Sequence, residues 1–196
     1  TIPGNATHMP VIGSAAFAGN LTLNDGASIL GNHLLSISGQ ATVEREITNN
    51  SYHYVSSPVQ SAAAGSVFPL SAYLRYYDET QPETQWINIY QNNIMQPGRG
   101  YALQIPDAGV STTATFTGVL NNGPFTQNNL TYTANSVPAY DGYNLAGNPY
   151  PSPIDLESSG VIRTHLDATA YFWDQALNGG AGAYATHTIE TGGTNV

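Results

Sequence analysis

Thirteen carboxylates, five histidines and four arginines are the side chains of this 196-residue sequence that could carry acid-base or metal chemistry. Glycoside hydrolysis needs two acids about 5 to 9.5 Å apart. Glu44 and Glu46 alternate with Val43 and Arg45, so on a strand both carboxylates share one face, and a solvated face is the simpler reading. Asp78, Glu79 and Glu83 fall in a turn-rich stretch where acids cap turns. The histidines, His8, His33, His53, His165 and His187, are too scattered for a metal-ligand pattern. Alternation turns His53 away from Tyr52 and Tyr54. There is no Gly-x-Ser-x-Gly elbow to support a serine hydrolase, and Gly98-Arg99-Gly100 reads as a tight turn, too short for a phosphate loop. Cysteine is absent, which removes thiolate nucleophiles, disulfides and Cys-ligated metals. The expectation is a chain that is not an enzyme and needs no cofactor.

Two binding chemistries remain. Calcium takes hard oxygen ligands from loops, and Asp78, Asp155 and Asp174 beside turns are its candidates; the alternative is that each carboxylate closes its own Asx turn. Glycans stack on flat rings and bond to amides, and 13 tyrosines and 2 tryptophans supply the rings. Trp86, Tyr90, Tyr140, Tyr143 and Tyr150 are the candidates for that role. Strand aromatics also build cores, which is the competing expectation for Trp86 and Trp173, whereas Tyr150, held between Pro149 and Pro151, is expected to be exposed. The sequons at Asn5, Asn20, Asn49 and Asn129 are what chance produces in a chain so rich in Asn and Thr.

The elements that must position these residues are short. Twenty glycines and twelve prolines are scattered along the chain, and no helical periodicity survives three turns between them. Strands are predicted at 21–23, 34–37, 41–47, 52–56, 74–77, 86–90, 100–105, 112–120, 126–134, 143–146 and 170–173, with helical turns only near 61–64 and 153–158. Asn24-Asp25-Gly26, Gly31-Asn32, Asn121-Asn122-Gly123 and Asp141-Gly142 supply turns. The fold class is therefore all-β. Charged residues make up 9% against the ordinary value of about 25%. A net charge of -9 without a single lysine excludes phosphate-driven nucleic-acid binding and attraction to anionic membranes. No apolar run reaches the roughly 20 residues of a spanning helix, so no membrane insertion is expected.

Two internal similarities shape the architecture. Residues 19–30 and 32–39 each place a short strand beside a Gly/Asn/Asp turn, the pattern of β-solenoid coils or of an edge hairpin. Further on, Tyr52 to Val59 is answered by Tyr143 to Tyr150, and Tyr76-Tyr77-Asp78 by Phe172-Trp173-Asp174, at offsets of 91 and 96 residues. The prediction is a β-solenoid-like or hairpin segment over 1–40, then a jelly-roll-like β-sandwich of two related halves over 41–196. Nothing after residue 174 answers the strand at 101–105, so the sandwich is expected to be incomplete at its C-terminal end. Its last strand belongs either to a longer polypeptide or to a neighbouring chain that adds it.

Four segments carry a resemblance. Residues 142–155, GYNLAGNPYPSPID, resemble the "WNLVGNPYPSAID" segment of large secreted and cell-surface proteins that leave Bacteroidetes by the type IX secretion system. Residues 41–47 resemble their "ATVERYI", 52–59 their "WHFVSSPV" and 170–174 their "IYFWD". Tyr52 and Tyr143 stand where that family usually has Trp, and neither a signal peptide nor a sorting domain is in the sequence. The resemblance implies an extracellular or cell-surface location and a part in a longer adhesin-like polypeptide. The resulting expectation is a structural or adhesive module, with two alternatives: a carbohydrate-binding module of a glycan-degrading enzyme, or a fibre subunit completed by strand addition.

Overall fold

Residues 9–10, 15–30, 35–107, 109–134 and 141–189 are described by a computed structural model. The first coil runs through β1 (Met9–Pro10), β2 (Ala15–Phe17) and β3 (Leu21–Leu23), and the second through β4 (Ile29–Leu30), β5 (Leu35–Ile37) and β6 (Ala41–Thr48). Each strand pairs in parallel with the one twenty residues later, Met9 with Ile29, Ala15 with Leu35 and Leu21 with Ala41. A hairpin would pair antiparallel, so this is a two-coil solenoid. Its period differs from that suggested by the sequence segments: Gly19-Asn20-Leu21 stacks on Gly39-Gln40-Ala41. Leu21, Leu23, Ala41 and Val43 point into the core, and the corners are held by amide contacts. The Gly39 N–H donates to the Gly19 carbonyl (3.0 Å), and the Gln40 N–H to Asn20 Oδ1 (3.0 Å). A Cβ on Gly39 would collide with Asn20 and with the Gly19 backbone, so this corner requires glycine.

The second coil continues directly into the sandwich. Strand β6 also pairs antiparallel with β11 (Ser111–Gly118), giving a three-stranded sheet in the order β11-β6-β3. The second sheet contains β7 (Tyr52–Val55), β10 (Tyr101–Gln104), β8 (Tyr73–Tyr77) and β9 (Trp86–Asn88) in that order, all antiparallel. Val43, Ala114 and Phe116 of the first sheet share one core with Leu74, Tyr101 and Leu103 of the second and with the short helix α1 (Ala64–Val67). Phe68, just beyond α1, meets Phe116 edge to face at 5.9 Å. Glu44 and Glu46 lie on the outward face of β6, where Ser111 Oγ donates to Glu46. His53 points away from the outward tyrosines and bonds to the Thr48 carbonyl.

The chain divides into two compact units, 1–153 and 154–196. The second holds an antiparallel pair, β12 (Thr169–Asp174) and β13 (Ala183–Thr188), closed by a turn through Asn178–Gly180. Of the two similarities behind the duplication, 76–78 and 172–174 have matching local structure, whereas 52–59 runs through strand β7 and 143–150 holds no strand. Tyr77 faces Trp86 across β8 and β9, with rings 5.2 Å apart at 74°; Trp173 faces Tyr184 across β12 and β13 at 5.3 Å and 76°. Asp78 and Asp174 then open matching Asx turns, accepting from the N–H groups of Thr80 (3.1 Å) and Ala176 (2.8 Å).

Two predicted strands are absent. Residues 126–134 form no ladder, because side chains satisfy that backbone: Asn144 binds both the N–H and the carbonyl of Thr131, and Glu79 accepts from the Thr133 N–H. Of 143–146, only Ala146 forms a bridge, to Arg99. Helix α1 also sits three residues beyond the predicted turn at 61–64. His8, His33, the Gly31-Asn32 turn and the Asn5 sequon lie outside the described residues.

Candidate functional site

The Gly-Asn-Pro-Tyr-Pro segment, residues 147–151, is built to hold one shape. Asn148 Oδ1 accepts from the Tyr150 N–H (2.9 Å), its Nδ2 donates to the Ser152 carbonyl (2.6 Å), and Ser56 Oγ donates to its carbonyl. Buried Asn121 donates to the Ser57 (3.2 Å) and Pro149 (3.0 Å) carbonyls. Gly147 packs so closely on Ser56 and on the Arg99 backbone that a Cβ would not fit. This loop and β6 enclose a cleft of about 290 Å³, lined in part by Arg45, Ser56, Phe116, Asn148 and Tyr150. Tyr150 also lines a second cleft of about 360 Å³, beside Asn121, Asn122 and Phe125.

Arg45 is the cation of the first cleft, and its bonds go to backbone. It donates to the carbonyls of Glu44 (2.6 Å) and Ala27 (3.0 Å), with longer contacts to Asn24 and Pro151 (3.5 Å each). Burial lowers its pKa, an effect that nearby Asp25 opposes. The side chain thus ties the solenoid corner to the loop.

Glu79 does the same with opposite charge. It is 2% exposed, and its carboxylate accepts from the Thr133 N–H (2.9 Å), the Thr133 hydroxyl (3.0 Å) and the Gly142 N–H (3.4 Å). Burial alone would raise its pKa. Hydrogen bonds from Thr131, Thr133 and Gly142 outweigh that and hold the carboxyl below the ordinary glutamate value. This buried clasp was missed in the sequence, where Glu79 reads as one more acid in a turn.

The calcium candidates each serve their own turn. Asp78 takes the Thr80 N–H and hydroxyl and the Gln81 amide, Asp155 the Glu157 N–H, and Asp174 the Ala176 N–H. Among the described residues, no three acids or histidines come together as a metal cluster.

The glycan candidates are dispersed. Trp86 lies on the outward face of the four-stranded sheet, half-buried between Tyr54 (6.2 Å) and Tyr77 (5.2 Å) and outside the hydrophobic core. Tyr90, 72% exposed, stands two residues beyond the end of β9, and Tyr143, also exposed, sits on the loop after Gly142. Tyr150 is not the exposed ring expected. It is half-buried and its hydroxyl donates to the Gly123 carbonyl (2.6 Å), because the Asn148 turn directs the side chain inward. Tyr140 lies outside the described residues. Trp173 is likewise on a strand face rather than in the described core, among the rings of Tyr171 and Tyr184. The sequence signal for that cluster was the alternation of Tyr171 and Trp173 together with the offset that relates Trp173 to Tyr77.

The family model for a domain of unknown function, DUF8693, matches residues 10–190, and the chain belongs to that family. No curated protein and no solved structure matches it.

Proposed function

We propose that this member of the DUF8693 family is a non-enzymatic structural and adhesive module of a larger secreted or cell-surface bacterial protein, of the kind the type IX resemblance implies. The observation that carries this reading is where the polar groups direct their bonds. Arg45, Glu79, Asn121 and Asn148 are committed to backbone groups of their own chain, and Asp78, Asp155 and Asp174 to their own turns. Such groups hold loops in place, and a reacting substrate would have to break those bonds to recruit them. The exposed surface that remains is rich in tyrosine and threonine, which makes contacts without making charge.

A panel of neutral glycoside, acetyl-ester, peptide and phosphoester substrates tests the non-enzymatic part. The full chain is expected to turn over none of them above a boiled control. Turnover that co-purifies with the chain and disappears in Arg45→Met or Glu79→Gln, with the fold retained, would overturn the reading.

A further inference from the structure

The antiparallel pair of the second unit presents two chemically different faces. Alternation and register put Thr169, Tyr171 and Trp173 of β12 on one face together with Tyr184, Thr186 and Thr188 of β13. Ala170, Phe172, Asp174, Ala185 and His187 occupy the other, where His187 bonds to Glu157 at 2.9 Å. The first face therefore holds three rings and five hydroxyls, three of threonine and two of tyrosine, and no acid, histidine or arginine.

The rings are arranged rather than scattered. Tyr184 meets Trp173 at 5.3 Å and 76° and Tyr171 at 6.5 Å and 88°, so one ring stands edge-on between two others. Gly182 lies against the Trp173 indole, with a φ of +82° and no room for a Cβ, and the indole N–H donates to Gln175 Oε1 (3.4 Å). The indole is thus held before any ligand arrives. Tyr171 and Tyr184 each keep about half of their surface open, at 48% and 50%. Both faces of the pair are open to solvent, Phe172 of the opposite face being 48% exposed as well, but only this one groups three rings with no charged side chain among them.

We propose that this face of β12 and β13 binds the sugar rings of a neutral glycan. The C–H faces of a pyranose stack on Tyr171, Trp173 and Tyr184, and its hydroxyls bond to the tyrosine and threonine hydroxyls alongside. Charge selects the class of ligand. An uncharged face on a chain of net charge -9 offers sulfated or uronate sugars no cation, and basic ligands no carboxylate. The inference rests on the adhesive reading and supplies its contact chemistry.

The test uses the full chain against arrayed cello-, manno- and xylo-oligosaccharides beside heparin and polygalacturonate, with calorimetry on the best neutral hexasaccharide. Neutral oligosaccharides are expected to bind. Tyr171→Leu and Tyr184→Leu should each weaken binding about tenfold while the melting curve shows the chain still folded, whereas Tyr171→Phe, which keeps the ring and gives up only the hydroxyl, should weaken it less. Absence of neutral binding at millimolar ligand, a preference for the anionic polymers, or affinity that survives both leucine variants would each overturn the site. So would loss of affinity that only tracks loss of fold, the behaviour of a purely structural ring cluster. A chain displayed on cells but silent to neutral sugars would remove this site and leave the module reading standing.

Discussion

Replacing Glu79 by glutamine probes the buried clasp without changing its size. The carboxylate accepts three bonds from Thr133 and Gly142, and a hydroxyl from Thr131 adds a fourth. An amide keeps one acceptor oxygen and turns an NH2 toward groups that are themselves donors. Losing charge-assisted bonds at a buried position and leaving one N–H without an acceptor costs roughly 2–4 kcal/mol. The pH dependence follows from the depressed pKa. The folded state binds fewer protons than the unfolded one, so the stabilisation is complete above the ordinary glutamate value of 4.5 and is lost as pH falls through the lower folded value. Asp78, also depressed, chiefly by the Thr80 hydroxyl, contributes a slope of the same sign that Glu79→Gln leaves in place. Urea melts of both proteins between pH 7 and pH 3 should show Glu79→Gln less stable at pH 7 and flatter toward acid, with hydrogen exchange at the Thr133 and Gly142 amides accelerated. A variant within about 0.5 kcal/mol of the parent, with the same acid slope, would refute the clasp.

Phe116→Ala, which empties a site 3% exposed against Phe68, should cost about 3–5 kcal/mol in urea denaturation. Gly39→Ala forces a methyl into the stacked corner beside Asn20 and should cost about 1–3 kcal/mol by the same measurement. Tyr150→Phe removes only the bond to the Gly123 carbonyl, so a loss of about 1 kcal/mol is expected, with no change in sugar binding on the titrations used for Tyr171.

The sequence was informative where turn chemistry and patterning agree. The Gly/Asn/Asp turns of residues 19–39 left a stacked coil and an edge hairpin both open, and the period of twenty residues was obscured because the strands between the turns are only two or three residues long. Alternation could not say which face of a strand is inside when both faces are aromatic or apolar. Tyr73-Leu74-Arg75-Tyr76-Tyr77 buries Leu74 and turns Tyr77 out, and Trp86 and Trp173 follow Tyr77 rather than the core. Residues 126–134 look like a strand because β-branched and aromatic side chains recur there, but the partners of that backbone, Asn144 and Glu79, are distant in sequence. The inward position of Tyr150 was hidden for a similar reason, since its hydroxyl partner is Gly123.

Surface display is the most direct test of the central claim. On the proposed reading, antibodies to residues 41–189 should label intact cells of the source organism as strongly as permeabilised ones and lose that signal when the type IX secretion that the resemblance implies is disabled. Labelling confined to permeabilised cells would contradict the account.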